Sequence, residues 1–234
     1  MISFVVPAHN EARLIARTLD ALAAAGRALG QPFEIVVVDD ASTDDTASIA
    51  RAGGARVVSV QCRQIAAARN AGARAASGDV LIFVDADTIA PVETVRAALA
   101  ALATGAAGGG VDVYIDGRLP VYARILMPMF RVLMRLRGWA AGCFIFCTRA
   151  AFDAAGGFDE RFFASEEIAL SKSLAKHGRF IILRERVLTS GRKLRTHSGW
   201  DVLKVLGHLV SSGGSVLRSR DRLSIWYGAR RDDV

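Results

Sequence analysis

The feature that most constrains the fold is a repeated alternation of short apolar runs with longer helical patterns. Four runs rich in β-branched residues predict buried strands at 2–6, 34–38, 56–60 and 80–84. The helical stretch at 64–76 is rich enough in alanine to pack closely on a sheet. This repetition predicts right-handed crossovers and a mostly parallel sheet flanked by helices, an α/β fold. Ligands of such sheets bind at the carboxyl ends of the strands.

The pattern loosens after residue 105. The glycine-rich stretch 105–110 predicts a flexible connection into a strand at 111–115, and residues 120–137 predict a helix that Pro128 should kink. Further patterns predict strands at 144–146 and 180–183, a helix at 165–177 and an amphipathic helix at 202–210. No internal repeat or low-complexity linker interrupts the chain, so residues 1–234 are expected to form a single domain.

Composition narrows the class of protein. A hydrophobic content of 52% can build a core without disulfides, and 30 Lys and Arg against 23 Asp and Glu favour anionic partners. Three cysteines are typical of a reducing cytosol. The sequence has no signal-peptide pattern, and its purely apolar runs are far shorter than the ~18 residues of a membrane span. A cytoplasmic protein is therefore expected.

Acidic and polar residues follow three of the predicted strands. Strand one leads into 7–11 (Pro-Ala-His-Asn-Glu), strand two into Asp39 and Asp40, and strand four into Asp85 and Asp87. Carboxylates at one sheet edge are costly unless a cation binds, and Asp-x-Asp offers the hard oxygen ligands that Mg²⁺ or Mn²⁺ prefers. The alternative is that these residues only cap helices. Neither Gly-Lys nor G-x-G-x-x-G occurs, which excludes a Walker A loop and disfavours a dinucleotide fold.

Six motifs in order give the chain a family resemblance. They are Val-Val-Pro-Ala-His-Asn-Glu at 5–11, Val-Val-Val-Asp-Asp-Ala-Ser at 36–42, Ala-Arg-Asn-Ala-Gly at 68–72, Phe-Val-Asp-Ala-Asp at 83–87, Gly-Gly-Phe-Asp-Glu at 156–160 and Ser-Glu-Glu at 165–167. Over roughly residues 2–195, the chain resembles the family-2 glycosyltransferases with the GT-A fold. Each motif alone is weak, but their order and spacing are specific.

The resemblance implies a site for a nucleotide-sugar donor, with a UDP-sugar favoured. Its residues would belong to a strand-end loop, an acidic pair, the alanine-rich helix and a metal-binding motif: Pro7, Ala8, His9, Asn10, Glu11, Asp39, Asp40, Arg69, Asp85 and Asp87. Backbone groups of Pro7 and Ala8 would meet the base, and Asp40 would accept from its imide nitrogen. His9 would lie against the base, although a solvent-facing loop histidine is the alternative.

The remaining donor contacts concern the sugar and the phosphates. The resemblance implies that Arg69 lies near the base or phosphates and that Asp85 approaches the ribose. Asp87, together with Asp85, would ligate Mg²⁺ or Mn²⁺ at the diphosphate. His197 is a candidate further ligand, the alternative being an ordinary surface histidine.

Catalysis in the resembled family inverts the sugar carbon, with a carboxylate removing the proton of the acceptor hydroxyl. The family's base is the Asp of a Glu-Asp pair, which corresponds to Glu167; this chain departs by carrying Glu there. Glu166 is the alternative base, and a purely structural acidic pair in the first turn of a helix is the third interpretation. The helix N-terminus should keep Glu167 ionised, so burial against the acceptor would be needed to raise its pKa.

Two regions bear on the acceptor. Residues 190–194 lack the Gln-x-x-Arg-Trp of processive members, which predicts one sugar per encounter, and Arg192, Lys193 and Arg195 remain candidates for binding phosphates. In 118–137 arginines flank apolar residues at helical spacing. This pattern suits either a basic helix on an anionic bilayer or an ordinary domain helix with a solvated basic face.

The resemblance therefore implies an inverting, non-processive, metal-dependent glycosyltransferase acting on an acceptor such as a lipid-linked or cell-envelope glycan. Residues 1–105 would bind the nucleotide-sugar and 106–190 the acceptor, with 191–234 a basic C-terminal segment. The expected location is the cytoplasm, including the inner face of the cytoplasmic membrane.

A catalytically silent nucleotide-sugar-binding module is the alternative function. A nucleic-acid binder is disfavoured because no interleaved aromatic and basic motif is present. A phosphorelay receiver is disfavoured because Val60 precedes Gln61-Cys62 and not an aspartate.

Overall fold

The computed structural model describes residues 1–117 and 119–192. The strands are β1 (Ile2–Ala8), β2 (Phe33–Asp40), β3 (Arg56–Val60), β4 (Val80–Val84), β5 (Thr88–Ile89), β6 (Ala106–Ile115), β7 (Phe144–Thr148) and β8 (Arg179–Thr189). The helices are α1 (Ile15–Leu29), α2 (Thr46–Ala52), α3 (Ile65–Ala75), α4 (Val92–Ala103), α5 (Val121–Arg137), α6 (Arg149–Ala155) and α7 (Glu166–Leu174). The expectations for Arg118, Lys193, Arg195, His197 and the helix at 202–210 fall outside the described residues.

The strands form one mostly parallel sheet in the order β3-β2-β1-β4-β7-β6-β8-β5. Strands β1 to β4 run parallel, β7 is antiparallel to both of its neighbours, and β6 and β8 are parallel to each other. Val84 lies opposite Phe144, and Ile115 lies opposite Thr189. The carboxyl ends of six strands and the segment entering β7 therefore meet at one edge, which confirms the expected α/β class.

The central strands are apolar because helices cover both faces of the sheet. Val36, Val37 and Val38 of β2 are all buried, as is most of β4. The prediction that the alanine-rich helix α3 packs closely on the sheet is confirmed at Gly72, where an added Cβ would lie 2.3 Å from Cγ1 of Val5 in β1. Such close approach requires the smallest residues on the face that meets the sheet.

The glycine-rich stretch 105–110 is not a flexible connection, and that prediction is wrong. Strand β6 already begins at Ala106, between β7 and β8. A Cβ on Gly109 would lie 2.2 Å from the carbonyl oxygen of Ile181 and 2.5 Å from the ring of Phe146. The glycines are there because the neighbouring strands leave no room for a side chain.

The helix predicted at 120–137 is present as α5, and Pro128 lies inside it without ending it. Across the described ranges, no helix has both the length and the apolar character needed to cross a membrane.

Candidate active site

The loops that follow β1 and β2 are joined by side-chain hydrogen bonds at the carboxyl edge of the sheet. The backbone N–H of Asn10 donates to Oγ of Ser42 at 3.0 Å, and the N–H of Thr43 donates to Oδ1 of Asn10 at 2.7 Å. The N–H of Glu11 donates to the hydroxyl of Thr46 at 2.7 Å. The sequence-predicted residues of both loops are therefore brought together and held in fixed relation.

The acidic pair at the end of β2 also has structural contacts. Both carboxylate oxygens of Asp40 accept backbone N–H groups, from Arg63 at 2.8 Å and Gln64 at 3.1 Å, just before α3 begins. Nδ1 of His9 lies 2.8 Å from the carbonyl oxygen of Asp40, to which it donates. Oδ1 of Asp39 accepts from the N–H of Ser42 at 3.3 Å. Asp40 therefore fixes the backbone just before α3, although it is not the capping residue of that helix, because Gln64 is.

Backbone strain is concentrated at this edge. Among the described residues, four that are not glycine have a positive φ: Asn10 (52°), Ala41 (56°), Arg63 (49°) and Ser165 (63°). They lie in the loops after β1, β2 and β3 and immediately before α7. Such conformations persist where the surroundings enforce them, and they cluster at functional sites.

Arg69 of α3 lies at the centre of a buried ionic cluster. Its side chain is 2% exposed; Nη1 donates to Oε1 of Glu166 at 2.6 Å, and Nη2 donates to Oδ1 of Asp85 at 2.9 Å. Nη2 also donates to the carbonyl oxygen of Gly142 at 2.8 Å. Burial alone would lower the pKa of Arg69, but the carboxylates of Asp85, Glu166 and Glu167 raise it above its ordinary value.

The expectation that Arg69 lies near the base or phosphates stays a prediction. Its guanidinium lies below the surface and is occupied by protein oxygens, because the nearby carboxylates need a buried positive charge. Through these contacts Arg69 links Asp85, after β4, to the first turn of α7.

The neighbouring Asn70 holds the loop that leads into α7. Nδ2 of Asn70 donates to the carbonyl oxygen of Phe158, and the N–H of Phe158 donates to Oδ1 of Asn70, both at 2.9 Å. The side chain also donates to Oε1 of Glu160 at 2.9 Å. The Ala-Arg-Asn-Ala-Gly and Gly-Gly-Phe-Asp-Glu motifs are therefore in direct contact. An open cleft of about 890 Å³ lies beside this loop. Its walls include Asp153 and Lys172, but none of the aspartates that follow β2 and β4.

The two glutamates of α7 have different environments. Glu166 is 4% exposed and is paired with Arg69. Glu167 is half-buried, and a Cβ on Gly142 would lie 3.6 Å from its Cδ. Burial and the adjacent charge of Glu166 raise the pKa of Glu167 to about 8, against the lowering effect of Arg69.

That direction corrects the expectation that the helix N-terminus would keep Glu167 ionised and that burial against the acceptor would be needed. The protein's own burial already outweighs the effect of the helix terminus. A carboxylate with this pKa can take up a proton near neutral pH, as a general base must.

The acidic motif after β4 has the chemistry of a divalent-cation site. Asp85 is bound to Arg69 through Oδ1, and Oδ1 of Asp87 accepts from the hydroxyl of Thr189 at 3.2 Å. No group of three His, Cys, Asp or Glu able to hold a metal exists within 1–117 and 119–192. Two carboxylates nevertheless fit Mg²⁺ or Mn²⁺, because these sites often use one or two carboxylates with water and substrate phosphates.

Sequence reasoning missed several contacts at the edge. Both carboxylate oxygens of Glu11 accept from Nη2 of Arg192, at 2.9 and 3.0 Å, so these two residues are bound to each other. Thr189 bonds Asp87, and Gly142 supplies the carbonyl oxygen for Arg69. No local pattern marks these positions, because each contact joins segments distant in the sequence.

An α/β sheet with an acidic edge, and a helix that begins with two glutamates, is the arrangement that the resemblance to the family-2 glycosyltransferases predicts, and comparison with known proteins supports that family. The sequence profile of Glycosyl transferase family 2 matches residues 3–155. The chain therefore belongs to glycosyl transferase family 2, and its fold is the GT-A fold.

Relatives of known name include validoxylamine A glucosyltransferase of Streptomyces hygroscopicus subsp. jinggangensis. It is 31% identical over 222 residues, covering 76% of this chain and 52% of the relative. An undecaprenyl-phosphate 4-deoxy-4-formamido-L-arabinose transferase of Pseudomonas fluorescens is 39% identical over 101 residues, covering 40% of this chain and 30% of that protein. The chain thus spans about half the length, or less, of these curated relatives.

Two solved structures illustrate the similarity of fold. A mannosyltransferase from Pyrobaculum calidifontis, in complex with GDP-Man and Mn²⁺, has a TM-score of 0.68 and 24% identity, covering 93% of this chain and 64% of that one. S. aureus TarS 1–349, in complex with UDP-GlcNAc, has a TM-score of 0.66 and 19% identity, covering 96% of this chain and 78% of that one.

Proposed function

We propose that the protein transfers one sugar from a nucleoside diphosphate sugar to an acceptor hydroxyl, with inversion at the sugar carbon. The observation that carries this proposal is Glu167: a half-buried carboxylate with a raised pKa, beside Arg69 and Asp85 at the sheet edge. A base in that environment is suited to a hydroxyl proton. Residues 1–105 would bind the donor, and residues 106–190 would bind the acceptor.

The donor would occupy the edge formed by the loops after β1, β2 and β4. Pro7, Ala8 and His9 would meet the base from one side. Asp39 and Asp40 would meet it from the other, with Asp39 having fewer protein donors on its carboxylate. Asn10 and Glu11 would support the site without contacting the base, since the described contacts of Asn10 fix the loop and those of Glu11 hold Arg192. A UDP-sugar is the favoured donor.

Asp85 and Asp87 would hold Mg²⁺ or Mn²⁺ against the diphosphate, with Asp85 also near the ribose. When bound, the cation neutralises charge on the departing nucleoside diphosphate. The named solved structures include one with Mn²⁺ and GDP-Man and one with UDP-GlcNAc, which supports a divalent cation and a nucleotide-sugar.

The transfer itself would be a single displacement. The acceptor oxygen attacks the anomeric carbon while the bond to the diphosphate oxygen breaks, and the acceptor proton passes to Glu167. One displacement inverts the configuration at that carbon. Glu166 would serve as a positioning residue, because its carboxylate is buried against Arg69. The missing Gln-x-x-Arg-Trp motif supports one sugar per encounter.

The names of the relatives suggest two candidate acceptors, validoxylamine A and undecaprenyl phosphate. A lipid-linked or cell-envelope acceptor would place the enzyme in the cytoplasm, at the inner face of the cytoplasmic membrane. The competing function is a catalytically silent nucleotide-sugar-binding module, which would bind the donor without transferring it.

A thermal-shift screen separates these functions. Nucleoside diphosphates and their sugars are tested with and without Mn²⁺, because a ligand of the folded state raises the melting temperature. We expect a Mn²⁺-dependent rise with at least one nucleoside diphosphate, and no rise with any of them would contradict donor binding. The bound donor is then incubated with validoxylamine A or polyprenyl phosphate. Binding without transfer to any acceptor, or to water, would favour the silent module.

A further inference from the structure

Helix α5 presents an apolar face that no other described part of the chain covers. Leu126, Met129, Leu133 and Leu136 follow one another at spacings of three and four, so they form one continuous stripe. Met129 is 66% exposed and Leu136 is 80% exposed. Val121 and Val132 extend the stripe, at 71% and 59% exposure. Adjacent large apolar side chains with this exposure mark an interaction surface, whereas isolated ones do not.

The opposite face of α5 attaches the helix to the domain. Ala123 and Met134 are buried there. On one flank, Arg131 and Arg135 pair with the two carboxylate oxygens of Asp112, at 3.1 and 2.9 Å. The stripe therefore points outward because the domain holds the other side of the helix.

The charge around the stripe is strongly positive. Helix α5 contains four arginines and no acidic residue. Arg124 and Arg137 are exposed at opposite ends, while Asp112 balances only one of the two charges that it contacts. An exposed apolar stripe flanked by arginine is the pattern of a helix that lies in the plane of an anionic bilayer.

Three partners could cover this surface: a second copy of the chain, the segment 193–234 and an anionic lipid surface. Their charges distinguish them. A second copy would bring further arginines toward these arginines. The segment 193–234 carries eight Lys and Arg against four Asp, so it is basic as well. An anionic lipid surface offers both the negative charge and the apolar layer that the helix lacks.

We propose that α5 is a membrane-docking helix, with its apolar stripe in the headgroup region of an anionic bilayer and its arginines on the lipid phosphates. The proposed function enters only as the reason for docking, which would bring the enzyme to a lipid-linked acceptor. The docking itself needs neither donor nor acceptor.

The chain connects this surface directly to the candidate active site. Gly142, whose carbonyl oxygen accepts from Arg69, lies five positions after Arg137, the end of α5. That distance is at most about 18 Å even for an extended chain. Within it, the N–H of Ala140 donates to Oγ of Ser171 in α7 at 3.1 Å. A docked α5 would therefore hold Glu167 close to the membrane surface.

The test is cosedimentation of the full chain with vesicles of phosphatidylglycerol or phosphatidylcholine, over a series of salt concentrations. We expect binding to phosphatidylglycerol that weakens as salt screens the charges, and little binding to phosphatidylcholine. Met129→Glu combined with Leu136→Glu should weaken binding at least about tenfold, because each change places a charge in the apolar layer. Arg124→Gln should weaken it about fivefold.

Arg17→Gln on α1 is the matched control for charge, since Arg17 is also an exposed helical arginine, and it should bind nearly as the parent does. All variants should keep the Mn²⁺-dependent binding of nucleoside diphosphate, so a lost donor site and a lost docking surface are told apart. The proposal is overturned by absence of binding, by equal binding to both lipids, or by unchanged binding of the stripe variant. A dimer of the parent that the stripe variant abolishes, without vesicle binding, would identify a second copy as the occupant.

Discussion

Nη1 of Arg69 lies 2.6 Å from Oε1 of Glu166, although the two residues are 97 positions apart in the sequence. Both side chains are buried, and the pair joins α3 to the first turn of α7. The adjacent Glu167 is more exposed and has a raised pKa. Two neighbouring carboxylates thus have different environments, and we propose that Glu166 holds the helix while Glu167 acts at the reacting surface.

Replacing each glutamate by glutamine should change stability in opposite directions. Glu166→Gln removes one partner of a buried pair and leaves the Arg69 charge undercompensated, which should lower the free energy of unfolding by about 3 kcal/mol. Glu167→Gln removes a carboxylate that burial disfavours in its ionised form. It should leave the protein as stable as the parent or more stable at pH 8. Urea denaturation in the presence of EDTA measures both.

The same variants test the pKa of Glu167. Folding raises that pKa from 4.5 to about 8, so between these values the folded state holds a proton that the unfolded state has lost. The stabilisation from Glu167 is therefore complete below pH 4.5 and is lost as the pH rises through 8. The stability of Glu167→Gln relative to the parent should grow from pH 5 to pH 8. A constant difference would show that the pKa is not raised.

Asp87→Ala should abolish the Mn²⁺-dependent part of nucleoside diphosphate binding and leave the fold intact. Asp87 supplies one of the two candidate carboxylate ligands, and its described contacts are with Thr88 and Thr189 at the edge. Isothermal calorimetry with and without Mn²⁺ measures the difference, and Asp20→Ala on the exposed side of α1 is the matched control. Equal affinity of Asp87→Ala and the parent in Mn²⁺ would remove Asp87 from the metal site.

Glu34 should be a main source of acid sensitivity. Burial would raise its pKa, but hydrogen bonds from Ser77, Ser3 and Arg56 lower it from 4.5 to about 2. Its stabilising contribution is present above pH 4.5 and is lost as the pH falls toward 2. Glu34→Gln should cost about 1 to 3 kcal/mol at pH 7 and flatten the loss of stability below pH 4.5. If the variant and the parent lose stability in parallel, Glu34 is not responsible.

The strands at the centre of the sheet could be predicted because burial on both faces gives them continuous apolar runs. Strand β4 has the predicted bounds, β1 ends two residues later than predicted, and β2 begins one residue earlier and ends two residues later. Strand β3 also has the predicted bounds, but it lies at the edge of the sheet and none of its residues is buried, so the prediction of a buried strand there is wrong. The two-residue strand β5 and the short helix α6 lack a run long enough to produce a pattern. In β6, glycines that resemble a loop are required by the contact of Gly109 with Ile181 and Phe146.

The candidate site was predictable as a set of residue types but not as a set of contacts. Asp85 and Asp87 could be identified as candidate site residues because they directly follow a strand, and parallel strands bring their carboxyl ends to one edge. The burial of Arg69 and its bond to Glu166 depend on how α3 and α7 pack, and no local pattern carries that information. The same holds for the Glu11–Arg192 pair, whose members are 181 positions apart.

The central claim, that Glu167 is the base of an inverting transfer, is tested most directly by turnover of Glu167→Gln with the donor and acceptor that the screen identifies. The parent should form a glycoside of inverted anomeric configuration. Glu167→Gln should reduce turnover by about 10²- to 10⁴-fold at unchanged donor affinity, because it keeps the shape and removes the basicity. Normal turnover by Glu167→Gln, or a glycoside of retained configuration, would contradict the account.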